Sequence, residues 1–201
     1  MSSGLRERKK AETRQALASA ALRLAEERGP DAVTVEDIAA VVGVSPRTFF
    51  NYYPTKEDAI VGIPEGQSSE VVDELTSRPP DEAPLEALRQ SLLAASEGLE
   101  SRAEEWTMRH RLVQRYPTLA ARYGVRFASF EQGIIDEIAR RLGVDPAKDN
   151  YPALVTAAAL SATRVALTTW QERPRRVRLV TLLEDAFATL KTGLAVPERL
   201  R

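Results

Sequence analysis

Cysteine is absent from this 201-residue chain, and histidine occurs once, as His110. The first absence excludes disulfides, thiol catalysis and cysteine-based zinc sites, and the second leaves no basis for a histidine-rich metal site. Neither sign of charge dominates: 28 Lys+Arg stand against 29 Asp+Glu, so bulk charge does not mark a nucleic-acid binder. Also missing are a nucleophile–base pair, a metal-ligand spacing and a phosphate loop. An all-α enzyme is therefore set aside, and no cofactor is expected. The N-terminus lacks the apolar run of a signal peptide. Only Asn150 to Gln171 approaches the roughly 18–20 apolar residues of a spanning helix. That stretch carries Arg164, Tyr151, Pro152 and several Ser and Thr, so it reads as a buried helix with no membrane partner. The cytoplasm is the expected compartment by default. Strand alternation, internal repeats and low-complexity tracts are missing as well.

What is present suits a packed helical protein. Hydrophobic residues make up 43% of the chain and charged residues 28%, within the range of an ordinary soluble core and surface. Apolar residues recur at helical spacing along most of the length. The first such helix is expected from about Lys10 to Arg28, with Gly29-Pro30 stopping it. Ahead of it, residues 1–9 read as a flexible basic arm. Arg6, Arg8, Lys9, Lys10 and Arg14 face only Glu7 and Glu12 between positions 6 and 14. Such a run serves equally as a solubilising tail or as an arm on a nucleic-acid backbone.

The most informative stretch is Thr34 to Lys56. Thr34 suits an N-cap with Asp37 three residues on, and Ile38, Ala39, Val41 and Val42 follow as an apolar face. Gly43 suits a left-handed helix end, Ser45 a second cap and Pro46 the first turn after it. This is the frame of a helix-turn-helix, whose second helix enters the DNA major groove. Taking Pro46 to Tyr53 as that helix, Phe49 and Tyr53 share the inward face. Arg47 and Asn51 share a second face, with Thr48 and Tyr52 beside it. Arg suits guanine, Asn suits adenine, and Tyr52 and Lys56 are within reach of phosphates.

Beyond the motif, Thr55 caps a fourth helix whose pattern is interrupted by Gly62, Pro64 and Gly66, a candidate hinge. Helix resumes at about Ser69, and Ser77 to Pro84 reads as a loop. Later helices are expected over about 85–100, 103–115, 117–142, 152–171 and 175–194. The fold class is all-α, with about nine helices: a three-helix DNA-binding part with the helix-turn-helix, drawn at 1–58, and a helical bundle at 59–201. Ala153 to Leu167 is apolar nearly all round, more than one small bundle covers, and its Ala157, Ala158, Ala159, Ser161 and Ala162 permit close helix approach. Arg164, alone among these residues in carrying charge, needs a carboxylate in a structural or interface pair, a solvent edge or an anionic ligand.

The segment from about Lys10 to Ile63 resembles the DNA-binding domain of the tetracycline-repressor (TetR) family of bacterial regulators. TRQALASAALRLAEERG and TVEDIAAVVGVSPRTFFNYYPTKEDAI carry the match, through Thr34, Ile38, Ala39, Gly43, Val44, Ser45, Tyr53, Lys56 and Glu57. SPRTFFNYY and KEDAI also resemble an actinobacterial subgroup that includes mycofactocin-cluster regulators. The resemblance implies a homodimeric repressor on a double-stranded palindromic operator, released by a small ligand. It implies DNA contacts at Thr34, Ser45, Arg47, Thr48, Tyr52 and Lys56; the residue reading adds Arg8, Lys9, Lys10, Pro46 and Asn51. Arg47 stands where the family commonly has Gly. Phe50 stands where it commonly has a phosphate-binding Tyr, so Phe50 is assigned to the core and left out of the contact set.

The resemblance further places the dimer interface in the last two helices, about 152–194, and an apolar ligand pocket among the middle ones. Candidate lining residues are Trp106, Met108 and Leu112, then Tyr123, Phe127 and Phe130, then Thr163, Arg164 and Leu167. Two other regulators fit the same residues: one that binds DNA without a small ligand, and an activator.

Overall fold

The computed structural model describes residues 2–62, 65–172 and 177–193. Among these, the chain forms ten α-helices and one 3-10 turn, Pro30–Ala32. The first four helices are α1 (Ser2–Arg28), α2 (Val35–Val42), α3 (Pro46–Phe50) and α4 (Lys56–Val61). Next come α5 (Glu65–Ser77), α6 (Pro84–Glu100), α7 (Ala103–Arg115) and α8 (Pro117–Leu142). The last two are α9 (Tyr151–Glu172) and α10 (Leu179–Lys191).

Four expectations change. The basic arm is not a separate flexible segment: α1 begins at Ser2. No Gly or Pro interrupts the chain between Leu5 and Gly29, and Arg8 and Glu12 form an i,i+4 pair at 3.0 Å. The recognition helix ends at Phe50 rather than Tyr53. Its last turn tightens, with Asn51 N donating to Thr48 O and Tyr52 N to Phe49 O. Pro54 explains this, because a proline disfavours helical backbone in the residue before it. Gly66 does not interrupt α5, which starts at Glu65; Pro64 of the candidate hinge lies outside the described residues. The fourth and fifth helices are thus separate elements, which accounts for ten helices rather than about nine.

Two compact units result, interleaved in sequence. The first holds Met1–Ser68 and Ala103–Ala128, the second Ser69–Arg102 and Ser129–Arg201. Leu112 and Leu119 lie in the same buried cluster as Leu17, Leu22, Ile38, Phe49 and Ile60, so α7 and the start of α8 pack with the N-terminal helices.

In the second unit, α9 packs against α6 and α10, and α10 also against α6. Glu86 of α6 accepts hydrogen bonds from Arg89 and from Lys191 of α10. Those two bonds hold its carboxyl down at about 2. Arg141 donates to the carbonyls of Leu75, Arg78 and Pro79, satisfying backbone acceptors where α5 ends.

Helix α9 is long and apolar enough, by length and composition, to cross a membrane, a test that core helices of soluble proteins also meet. One side of it is packed, through Pro152, Val155, Thr156, Ala159, Leu160, Ala166 and Trp170. The other is not: Leu154 and Val165 are 65% and 54% exposed, and Ala157 and Ser161 between them are exposed too. The expectation of a fully buried helix is therefore met on one face only within a single chain. Arg164 lies on the exposed side, so its charge is solvated and needs no buried partner.

Candidate nucleic-acid interface

Each end of the α2–α3 motif is fixed by a short-range hydrogen bond that the sequence specifies. Thr34 and Asp37 form a full capping box: Asp37 N donates to Thr34 Oγ1 at 3.1 Å, and Thr34 N donates to Asp37 Oδ2 at 3.0 Å. The Thr34 hydroxyl, then its backbone N–H, hold the Asp37 carboxyl below its ordinary range. Gly43 closes α2 at φ 75°, a left-handed conformation that costs a residue with a side chain about 1–2 kcal/mol. Ser45 caps α3, accepting from Thr48 N at 3.1 Å, while the two hydroxyls lie 2.9 Å apart.

One face of α3 is anchored. Phe49 is fully buried and Tyr53 nearly so, their rings 5.9 Å apart. Tyr53 Oη donates to Arg14 O on α1 at 3.2 Å, tying the end of the motif to the first helix. The opposite face is open: Ser45, Pro46, Arg47, Phe50 and Asn51 are exposed, and Thr48 and Tyr52 half-buried. The helix presents Arg47 and Asn51 to solvent as expected, although Asn51 belongs to the tightened turn. Thr34 is exposed at the α2 N-terminus, and Arg8, Lys9 and Lys10 are exposed on α1.

Phe50 corrects the sequence reading. It is 55% exposed, not core, and its ring stands edge-on to Phe49 at 5.6 Å and 89°. Lys56, expected at a phosphate, has partners within the chain. Its ammonium points inward, donating to Pro30 O at 2.9 Å and Val33 O at 2.8 Å, with Asp31 O at 3.5 Å. It thereby closes the turn between α1 and α2, and a phosphate would have to compete with those carbonyls.

Behind the motif, α4 is held by charge. The Asp58 side chain is fully buried and accepts from Arg122 Nε at 2.7 Å and Nη2 at 2.5 Å, and from Arg126 Nε at 3.0 Å. Thr55, the α4 N-cap, adds a fourth bond at 2.9 Å. Burial pushes the Asp58 carboxyl up, but the bonds from Arg122, Thr55 and Arg126 outweigh it and hold the group below its ordinary range. At the other end of α4, buried Arg109 donates from Nε to Ile60 O at 3.3 Å. Its guanidinium lies against Gly62, where a Cβ would fall 2.6 Å from Nη2.

Sequence reading missed these long-range contacts. Asp58 reads as an ordinary third residue after a Thr cap, and nothing near Arg122 or Arg126 points back to it.

The proposed pocket residues divide between the units. Trp106, Met108, Leu112, Tyr123 and Phe127 belong to the first, and Phe130, Thr163, Arg164 and Leu167 to the second. Leu112 is core, and Met108 and Tyr123 pack against that core half-buried. Tyr123 and Phe127 stack at 6.1 Å. The Trp106 indole N–H is buried with no acceptor among the described residues. Thr163 turns its hydroxyl back to Ala159 O. No group of three or more His, Asp or Glu among the described residues is placed to hold a metal.

Residues 17–60 match the model of the bacterial regulatory proteins of the tetR family. Residues 82–195, more than half of the chain, match the MftR C-terminal domain. The chain belongs to the TetR family of bacterial regulators. The transcriptional regulator TcmR of Streptomyces glaucescens is 34% identical over 178 residues, covering 85% of this chain and 78% of that protein. MftR of Mycobacterium tuberculosis (strain ATCC 25618 / H37Rv), assigned to regulation of mycofactocin biosynthesis, is 29% identical over 194 residues, 93% of each chain. Among solved structures, the fatty acid degradation regulator FadR of Bacillus halodurans shares the fold, with a TM-score of 0.61 at 19% identity. The match covers 90% of this chain and 98% of that one. The matched families are DNA-binding transcriptional regulators, not enzymes, and the all-α fold with its N-terminal helix-turn-helix is the one they share.

Proposed function

We propose that this TetR-family regulator is a homodimeric repressor that reads a palindromic operator with α3 and leaves it when a small ligand binds. The observation that carries the reading is the two-sided recognition helix. Phe49 and Tyr53 fix α3 to the core while Arg47 and Asn51 stand open on the other side. Such a helix positions base-reading side chains without reordering, which lowers the cost of binding. Arg47 and Asn51 contact bases. Thr34, Ser45, Thr48 and Tyr52 contact the backbone together with Arg8, Lys9 and Lys10, and Pro46 lies on the groove floor.

Dimerisation is supported by the uncovered stripe of α9. Leu154, Ala157, Ser161 and Val165 recur at three- and four-residue steps, and a second copy of the same face covers them under two-fold symmetry. A dimer reading two half-sites also accounts for a palindromic target. The interface spans about 152–194, and Arg164 sits at its edge. Residues 1–58 read DNA, and 59–201 supply the dimer contacts and the ligand site. The ligand is a small, mainly apolar molecule. Its best-supported polar contact is Trp106, whose buried N–H lacks an acceptor among the described residues, a deficit of roughly 1–3 kcal/mol that a ligand acceptor removes.

Selection of bound fragments from a random DNA pool, with sedimentation analysis of the free protein, tests the reading. A symmetric two-half-site consensus and a two-copy species support it. No sequence preference, or a binding constant insensitive to salt, overturns the DNA-reading proposal; a one-copy species overturns the dimer.

A further inference from the structure

We infer that Phe50 is a specificity residue, an apolar probe that recognises the 5-methyl group of thymine in the major groove; this rests on the operator reading above. Single exposed apolar side chains are common on protein surfaces and carry no meaning by themselves. Phe50 differs in its surroundings. It is the last residue of a five-residue helix, 55% exposed, three positions after Arg47 and four after Pro46, on the same open face. Every other exposed side chain on that face, Ser45, Arg47 and Asn51, can hydrogen-bond, except Pro46. The ring is also held: it stands edge-on to fully buried Phe49, a geometry that favours one orientation for the ring.

An unsubstituted phenyl ring has no donor for a phosphate and no group for a base edge. Within the major groove, the apolar feature that a base pair displays is the thymine 5-methyl, and Phe is among the side chains that contact it. Burying one methyl against the ring is worth on the order of 0.8 kcal/mol, or about fourfold in affinity per contact. Arg47 and Phe50 then read neighbouring positions, a hydrogen-bonded purine and a methyl-bearing pyrimidine.

The test removes the methyl from the DNA and leaves the protein folded as it is. The operator selected from a random pool is resynthesised with deoxyuridine replacing one symmetric pair of thymidines at a time. Dissociation constants are measured for wild type, Phe50→Ala and Phe50→Leu. The expected result is one thymine position at which uracil weakens wild-type binding roughly fourfold per methyl. Phe50→Ala should show no such difference, and Phe50→Leu, which keeps an apolar tip, a part of it. If an operator is found but no uracil substitution weakens wild type, the inference is overturned. It is equally overturned if the uracil effect persists undiminished in Phe50→Ala. Failure to select any operator is a different outcome: it removes the operator reading on which the inference stands.

Discussion

Replacing Asp58 by Asn probes the charge cluster that fixes α4 behind the recognition motif. The wild-type carboxylate is buried and accepts four hydrogen bonds, three of them from two guanidinium groups. Breaking a buried ion pair by removing one partner costs about 3–5 kcal/mol. Here the released charges are not fully trapped, because the Arg122 and Arg126 side chains are 35% and 20% exposed. Asn also keeps one acceptor. A loss of about 2–3 kcal/mol is therefore expected, a sizeable part of a typical domain's 5–15 kcal/mol.

Urea denaturation of both proteins from pH 7 to pH 3 measures this loss and its pH dependence. Asp58 titrates below its ordinary 3.8 in the folded chain, so the stability it contributes is fully present above that value. It is lost as pH falls through the folded value. The gap between wild type and variant should stay constant from pH 7 to about 5 and narrow below about 4. A variant within about 0.5 kcal/mol of wild type at pH 7 would refute the reasoning. So would a gap that does not narrow in acid.

Two further substitutions test neighbouring contacts. Gly62→Ala forces a side chain into a φ of 44° and to 2.6 Å from Arg109 Nη2, so a destabilisation of about 1–3 kcal/mol in thermal or urea unfolding is expected. Lys56→Met keeps the aliphatic stem but leaves the Val33 carbonyl without its lysine donor and the Pro30 carbonyl with only the Val33 N–H at 3.4 Å. It should lower stability by about 1–3 kcal/mol. The slope of DNA affinity against salt should stay unchanged; a slope smaller by about one charge would instead assign Lys56 to a phosphate.

What could be read from the residues alone was local. The caps at Thr34, Ser45 and Thr55, the stop at Gly43 and the helices of the C-terminal half follow from side chains within four residues of each other, and the structure places them close to expectation, except that the last helix, expected over about 175–194, runs only over Leu179–Lys191. The misreadings concern relations across the chain or across the surface. Whether Phe50 faces inward or outward depends on a single helical step beside Phe49, and two consecutive aromatics do not settle which is anchored. Lys56 has a solvated alternative in any sequence reading, and only the fold brings the carbonyls of Pro30 and Val33 to its ammonium. Asp58 meets Arg122 and Arg126 across more than sixty residues. The end of α3 was misjudged because the effect of Pro54 on Tyr53 outweighed a helical pattern that continued past it.

The proposed reading of sequence by α3 stands on Arg47. Affinities of wild type and Arg47→Ala should be compared over a set of operators carrying every base at each symmetric pair. In Arg47→Ala the wild-type preference should collapse at one position, where a good bidentate contact is worth roughly 1–3 kcal/mol, and be kept elsewhere. A loss of the same size on every sequence would contradict it, making Arg47 a phosphate contact, and an unchanged profile would remove α3 as the reader.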